Sequence, residues 1–88
     1  MTDKADKKVI IYTTIWCGFC KMAKQYMDSL GVKYEEHDVE RDQAAAKAAV
    51  EKSGQMGVPV IDVDGTIILG FDRPHLDAAF KDKNLLPV

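Results

Sequence analysis

The chain has 88 residues, 47% of them hydrophobic and 30% charged, with 12 Lys and Arg against 14 Asp and Glu for a net charge of −2. That length encloses a single core, and the charge balance excludes the basic footprint that nucleic-acid binders carry. Three Pro, six Gly and two Cys exclude collagen-like, disordered and disulfide-scaffold classes.

The opening stretch MTDKADKK is polar and mixed in charge with no apolar segment behind it, so residues 1–8 read as a flexible lead-in and not as a secretory signal. No apolar run approaches the ~20 residues that cross a bilayer. The expectation is one cytosolic domain over residues 1–88, a monomer with neither nucleic acid nor a membrane as partner.

Val9 to Thr13, VIIYT, is short, apolar and β-branched, the pattern of a strand buried on both faces. Phe19, Met22, Ala23, Tyr26, Met27 and Leu30 then recur at three- and four-residue steps, one face of a helix that Gly31 can end. VKYEEHDVE, Val32 to Glu40, alternates as a second strand. Asp42 is an N-cap for the Ala-rich helix QAAAKAAVEKS, closed by Gly54. VPVIDV and TIILG flank Asp64-Gly65, a strong hairpin signal. A last helix, with Asp72 as N-cap and Pro74 in its first turn, turns Leu76, Ala79 and Phe80 inward, with Leu85 and Leu86 packing its end. The order is βαβαββα, with a parallel first unit and an added antiparallel hairpin.

Both cysteines, in TTIWCGFCKMAK, fall where the first strand gives way to the first helix. Cys17 in the first turn and Cys20 one turn on lie on one helix face, close enough to form a bond. The unsatisfied amides of a helix start favour a thiolate on Cys17, whereas Cys20, deeper in the helix, stays a thiol until it is needed. A bridge across so small a loop removes little chain entropy, so stapling is not its purpose. A zinc site would need two more ligands, and His37 and His75 stand far apart with no second Cys pair. His37 reads as a solvated strand-end residue and His75 as a surface residue of the helix start. Lys21 and Lys24 are candidates for added thiolate stabilisation. Trp16 and Phe19 are either core aromatics or an exposed apolar rim around the nucleophile. Val58-Pro59 opens a strand where a proline is tolerated. An ordinary trans bond there competes with a cis bond that frees the Val58 backbone to pair with an extended peptide.

CGFC after VIIYT, GVP before the hairpin and GFD at the last helix together resemble a glutaredoxin, the small branch of the thioredoxin superfamily, from Val9 to Lys81. The resemblance implies an α/β thioredoxin fold of the glutaredoxin type, a four-stranded mixed sheet with helices on both faces, a cis Pro59, a nucleophilic Cys17 and a resolving Cys20. It also implies a glutathione groove. There Val58 pairs with the cysteinyl backbone, Phe19 takes the place of a usual tyrosine, Asp72 and Arg73 meet the γ-glutamyl end, and Trp16 and Pro59 line the substrate path.

Several positions depart from that family. Thr14 stands where a lysine is common, Met56 where an arginine often sits, Gly57 replaces a threonine, and Phe71 replaces the second glycine of a Gly-Gly pair. Each lost cation removes a charge-assisted contact worth on the order of 1 kcal/mol or more. GFDRP is similar to the Gly-Phe-Arg-Pro stretch of the redoxins that serve ribonucleotide reductase and draw electrons from thioredoxin reductase, with Asp72 intervening. The expected function is a glutathione- or thioredoxin-reductase-coupled thiol–disulfide oxidoreductase acting on protein disulfides or glutathionylated thiols. It needs no metal or organic cofactor, and glutathione enters only as a co-substrate. The alternative follows from Gly18, because CGFC resembles the CGFS site of glutaredoxins that hold a [2Fe-2S] cluster between two protomers, with Cys20 in place of that serine.

Overall fold

The computed structural model describes residues 8–55 and 57–85, so the lead-in over residues 1–7 and the expected packing of Leu86 lie outside the described residues. The elements run β1 (Val9–Thr13), α1 (Gly18–Leu30), β2 (Glu35–Asp38), α2 (Gln43–Ser53), β3 (Val60–Val63), β4 (Thr66–Leu69) and α3 (Arg73–Asp82). This is the βαβαββα order that the hydrophobic periods predict. The sheet order is β2-β1-β3-β4, with β1 parallel to β2 and antiparallel to β3, and β3 antiparallel to β4. The result is the four-stranded mixed sheet of a thioredoxin fold.

A strand covered on both faces is apolar along most of its length, and β1 is so from Val9 to Tyr12, with the buried Thr13 at its end. Val9 and Ile11 join Ile61, Val63 and Ile68 on one face, against Ala23 and Met27 of α1 and Leu76 and Phe80 of α3. Tyr12 and Val60 point to the other face, where they meet Ala45 and Ala49 of α2. Helices therefore cover both faces, α1 and α3 on one and α2 on the other.

Two expectations need correction. The second strand is shorter than Val32 to Glu40, because the end of α1 takes up its first residues. Gly31 adopts the left-handed conformation at φ 73°, its N–H bonds to the carbonyl of Asp28, and the Val32 N–H reaches back to Met27 at 3.0 Å. Such a cap leaves Val32 in the core with no free donor for a sheet. At the other end, the Asp38 side chain accepts the N–H of Glu40 and turns the chain away. The buried stripe of α1 is also rotated from the expected one. Cys20, Ala23 and Met27 face inward, while Phe19 and Met22 stand 63% and 48% exposed.

The hairpin turn has positive φ at both central residues, 48° at Asp64 and 102° at Gly65, as the tight primed turn requires. Tyr12 lies opposite Val60, and the Gly70 N–H bonds to the Pro59 carbonyl at 2.9 Å. The exit of β1, the entry of β3 and the exit of β4 consequently share one edge of the sheet, where α1 and α3 both begin.

Candidate active site

The loop after β1 closes on itself through a bond from the Cys17 N–H to the Thr14 carbonyl at 3.3 Å, and α1 starts directly afterwards. Cys17 is the N-cap and not a first-turn residue: it has extended backbone angles, φ −84° and ψ 110°, and its Sγ accepts the Cys20 N–H at 3.2 Å. An N-cap side chain normally offers oxygen to that orphan amide; here the acceptor is sulfur. Negative charge on this sulfur would face an amide donor and the positive end of the helix dipole.

The two cysteines are free thiols in unlike surroundings: Cys17 is half-buried and Cys20 is 1% exposed. Burial, reinforced by the neighbouring Cys17, pushes the Cys20 thiol up to about 12. Cys20 is therefore neutral at physiological pH.

Around Cys17 the surface is apolar. Ile15 is 80% exposed, Trp16 71% and Phe19 63%. Trp16 and Phe19 thus belong to a rim and not to the core. The Val58-Pro59 bond is cis, which decides between the two readings of that proline. Pro59 is buried; Val58 is half-buried, shares a cavity with Trp16, and makes no backbone hydrogen bond among the described residues.

The side chains expected at the far end of the groove are engaged elsewhere. The Arg73 guanidinium sits over the Tyr26 ring at 4.5 Å, and Phe71 packs edge-on against the same ring at 5.8 Å. Tyr26 in turn donates a hydrogen bond to Asp77. Asp72 caps α3, accepting the His75 N–H at 3.3 Å and meeting the His75 ring at 2.5 Å. Those bonds hold its carboxyl below the ordinary range. His75 is thus a partner of the cap and not merely a surface residue, and His37 is half-buried with its ring edge-on to Tyr12 at 5.6 Å.

Lys24 is not free to serve Cys17. Its ammonium pairs with Glu36 at 2.8 Å, and the same carboxylate oxygen accepts the Thr13 hydroxyl at 2.9 Å. Lys21 is exposed. The sequence reading missed Glu36 and Thr13, although a Lys one turn past Cys20 opposite a parallel strand rich in acids was a usable signal. It also passed over the Thr14 hydroxyl, which is buried with no partner among the described residues. Nothing in a Thr-Thr pair announces which hydroxyl will be left alone.

A thioredoxin-like fold with a Cys-Gly-Phe-Cys turn capping α1 and a cis-proline loop at the same sheet edge defines a thiol–disulfide oxidoreductase of the thioredoxin superfamily. The family model described as Glutaredoxin matches residues 9–68. A glutaredoxin-like 8.6 kDa protein of the rubredoxin operon of Clostridium pasteurianum is 37% identical over 67 residues, covering 76% of this chain and 89% of that protein. Glutaredoxin 3 of Escherichia coli K12 is 35% identical over 71 residues, covering 80% and 86%. Among solved structures, the thioredoxin-like protein BC3987 superposes with a TM-score of 0.77 at 29% identity, over 82% of this chain and 99% of the other. The chain belongs to the glutaredoxin family.

Proposed function

We propose that this chain reduces protein disulfides by a two-cysteine cycle. The Cys17 thiolate attacks one sulfur of a substrate disulfide; the S–S bond breaks, one substrate thiolate leaves, and a mixed disulfide forms on Cys17. Cys20 then attacks the Cys17 sulfur, its proton passing to the departing second substrate thiolate, and the Cys17–Cys20 disulfide closes. Two electrons have moved from this chain to the substrate. The observation that carries the reading is the contrast at the start of α1: a half-exposed sulfur taking an amide hydrogen bond beside a sealed, neutral thiol.

The electron donor we assign is a dithiol reductase of the thioredoxin reductase kind, with glutathione the weaker candidate. In support, the chain lacks the groove cations at Thr14 and Met56, and Arg73 and Asp72 already bind Tyr26 and His75. The cycle uses no cofactor, operates as a monomer and belongs in a reducing cytosol, where an exposed thiol persists. Among the described residues no helix is long and apolar enough to cross a membrane.

Trapping tests the roles. Cys20→Ser is expected to accumulate a mixed disulfide with a disulfide-bonded protein substrate, released by added dithiol, and Cys17→Ser to form none. If both variants keep full turnover, the assignment fails.

A further inference from the structure

The sheet has two outer strands, and their sequences treat the edge differently. β2 is Glu-Glu-His-Asp, charged throughout, which is how proteins keep an open edge from pairing with another chain. β4 is Thr-Ile-Ile-Leu, with no charge and no proline, and Leu69 is 43% exposed. Nothing in its sequence blunts that edge.

Its backbone is aimed outward at defined positions. The N–H and C=O of successive residues in an antiparallel pair point alternately toward the partner and away from it. The Gly70 N–H bonds to the Pro59 carbonyl, so in the β3–β4 register Ile68 also faces β3, whereas Ile67 and Leu69 face away.

Along the same edge runs a groove of about 490 Å³, between β4 and the flank of α3 that carries His75, Ala78 and Asp82. Its middle is small and apolar at Ala78. Asp72 and Asp82 stand at its ends, and no Lys or Arg lines it. His75 answers Asp72, but Asp82 is exposed and has no ion pair among the described residues.

These features select the occupant. A second copy paired antiparallel through β4 would bring Asp72 of each copy toward Asp82 of the other. Strands of four residues also fall well short of the roughly 20–30 residues a side of a stable interface. A strand with cationic ends meets neither objection. The ten residues from Asp72 to Asp82 span about 15 Å of helix, close to four residues of extended chain at ~3.3 Å each. Residues opposite Ile67 and Leu69 would exchange backbone bonds with them, and those opposite Thr66, Ile68 and Gly70 would turn toward α3.

We propose that β4 accepts an extended segment of a partner protein as a fifth strand, with two Lys or Arg side chains four residues apart meeting Asp72 and Asp82 and a small apolar residue between them resting on Ala78. Strand addition of this kind draws affinity from the main chain and selectivity from alternate side chains. Neither cysteine nor the Val58-Pro59 loop lines the groove, so occupancy and disulfide chemistry are separable.

The test is an NMR titration of the full reduced protein with acetyl-Lys-Thr-Val-Thr-Lys-amide, whose pattern reads the same in either direction. The Ile67 and Leu69 amide signals are expected to shift saturably, with a Kd below about 10 mM. The peptide with Glu in place of both Lys should bind about threefold more weakly or worse, and so should the Lys peptide on Asp82→Lys. That variant places a cation in the last turn of α3, where the helix dipole favours it, so the fold is retained. Methylating the backbone nitrogens of both Thr should abolish the shifts. No saturable shift at Ile67 and Leu69 would overturn the proposal, as would a smaller loss with either charge reversal or full binding by the methylated peptide. Shifts of the same two amides on raising the protein concentration without peptide would show a second copy on this edge and overturn the assigned occupant.

Discussion

Cys17 and Cys20 are chemically identical side chains one turn apart, and their environments separate them. Capping puts the Cys17 sulfur at the helix entrance, while the inward stripe shared with Ala23 and Met27 removes Cys20 from water. With its thiol raised to about 12, mainly by burial, Cys20 in a Cys17→Ser protein should resist iodoacetamide at pH 7 to 9 and react only as the solution becomes strongly alkaline. Thiol counting against pH checks this, and ready alkylation near pH 8 would show that burial is not protecting it. The sign for stability follows from a raised acid. The folded state holds the Cys20 proton more tightly than the unfolded chain does. Its stabilising contribution is complete below the unfolded value near 9.0 and is lost as pH climbs toward 12. The spacing of two cysteines after a strand was enough to locate this pair. Exposure was not legible, because Phe19 and Cys20 compete for the inward position and only packing decides which wins.

At the scale of elements, caps and buried pairs fix where the loops bearing the site begin and end. α2 starts at Asp42, whose carboxylate accepts the Ala45 N–H at 3.1 Å, and Asp42→Ala should cost about 1 kcal/mol in urea unfolding. Its last turn is tied to the sheet by Lys52, which pairs with Asp62 at 2.8 Å and donates to the Tyr12 hydroxyl at 2.6 Å. Burial alone would pull the Lys52 pKa down, but those two partners outweigh it and leave it raised. Lys52→Met removes the charge that Asp62 faces, and an expected loss of about 1–3 kcal/mol is read from the shift in denaturant midpoint. The Asp62 carboxylate also accepts the Gly65 N–H of the hairpin turn at 2.7 Å, so the variant should loosen both ends of β3. α2, the hairpin and α3 were readable from cap and turn residues because those signals are local. β2 was overextended because the Gly31 cap, a backbone arrangement, claimed Val32 before the sheet could.

For the whole molecule, the meeting of three strand ends and two helix starts on one edge makes a site from segments far apart in sequence. The Lys24–Glu36–Thr13 contact joins α1, β2 and β1 just beneath it. The Lys24 ammonium holds the Glu36 carboxyl below its ordinary value; burial opposes this and the Thr13 hydroxyl assists. A lowered acid stabilises the fold above its unfolded value near 4.5, and that contribution is lost as pH falls further. Glu36→Gln should therefore lower stability most at pH 7 to 8, where the carboxylate's contribution is complete, and flatten the acid side of the profile between pH 6 and 3, as followed by urea midpoints. Donor preference belongs to this scale too. Turnover with a thioredoxin reductase is expected to exceed turnover with glutathione and its reductase, and the reverse order would refute the assigned donor.

The order of elements, both sheet faces, the cysteine pair and the hairpin were determined by the sequence alone, because each depends on periods of two or 3.6 residues or on turn residues within a few positions. The tertiary structure decided which thiol is sealed, that Arg73 lies on Tyr26 and Asp72 on His75, that Lys24 answers Glu36, and that an uncharged hollow opens beside Trp16. Those outcomes depend on which distant side chains arrive at the same place, and no local pattern encodes the competition among them.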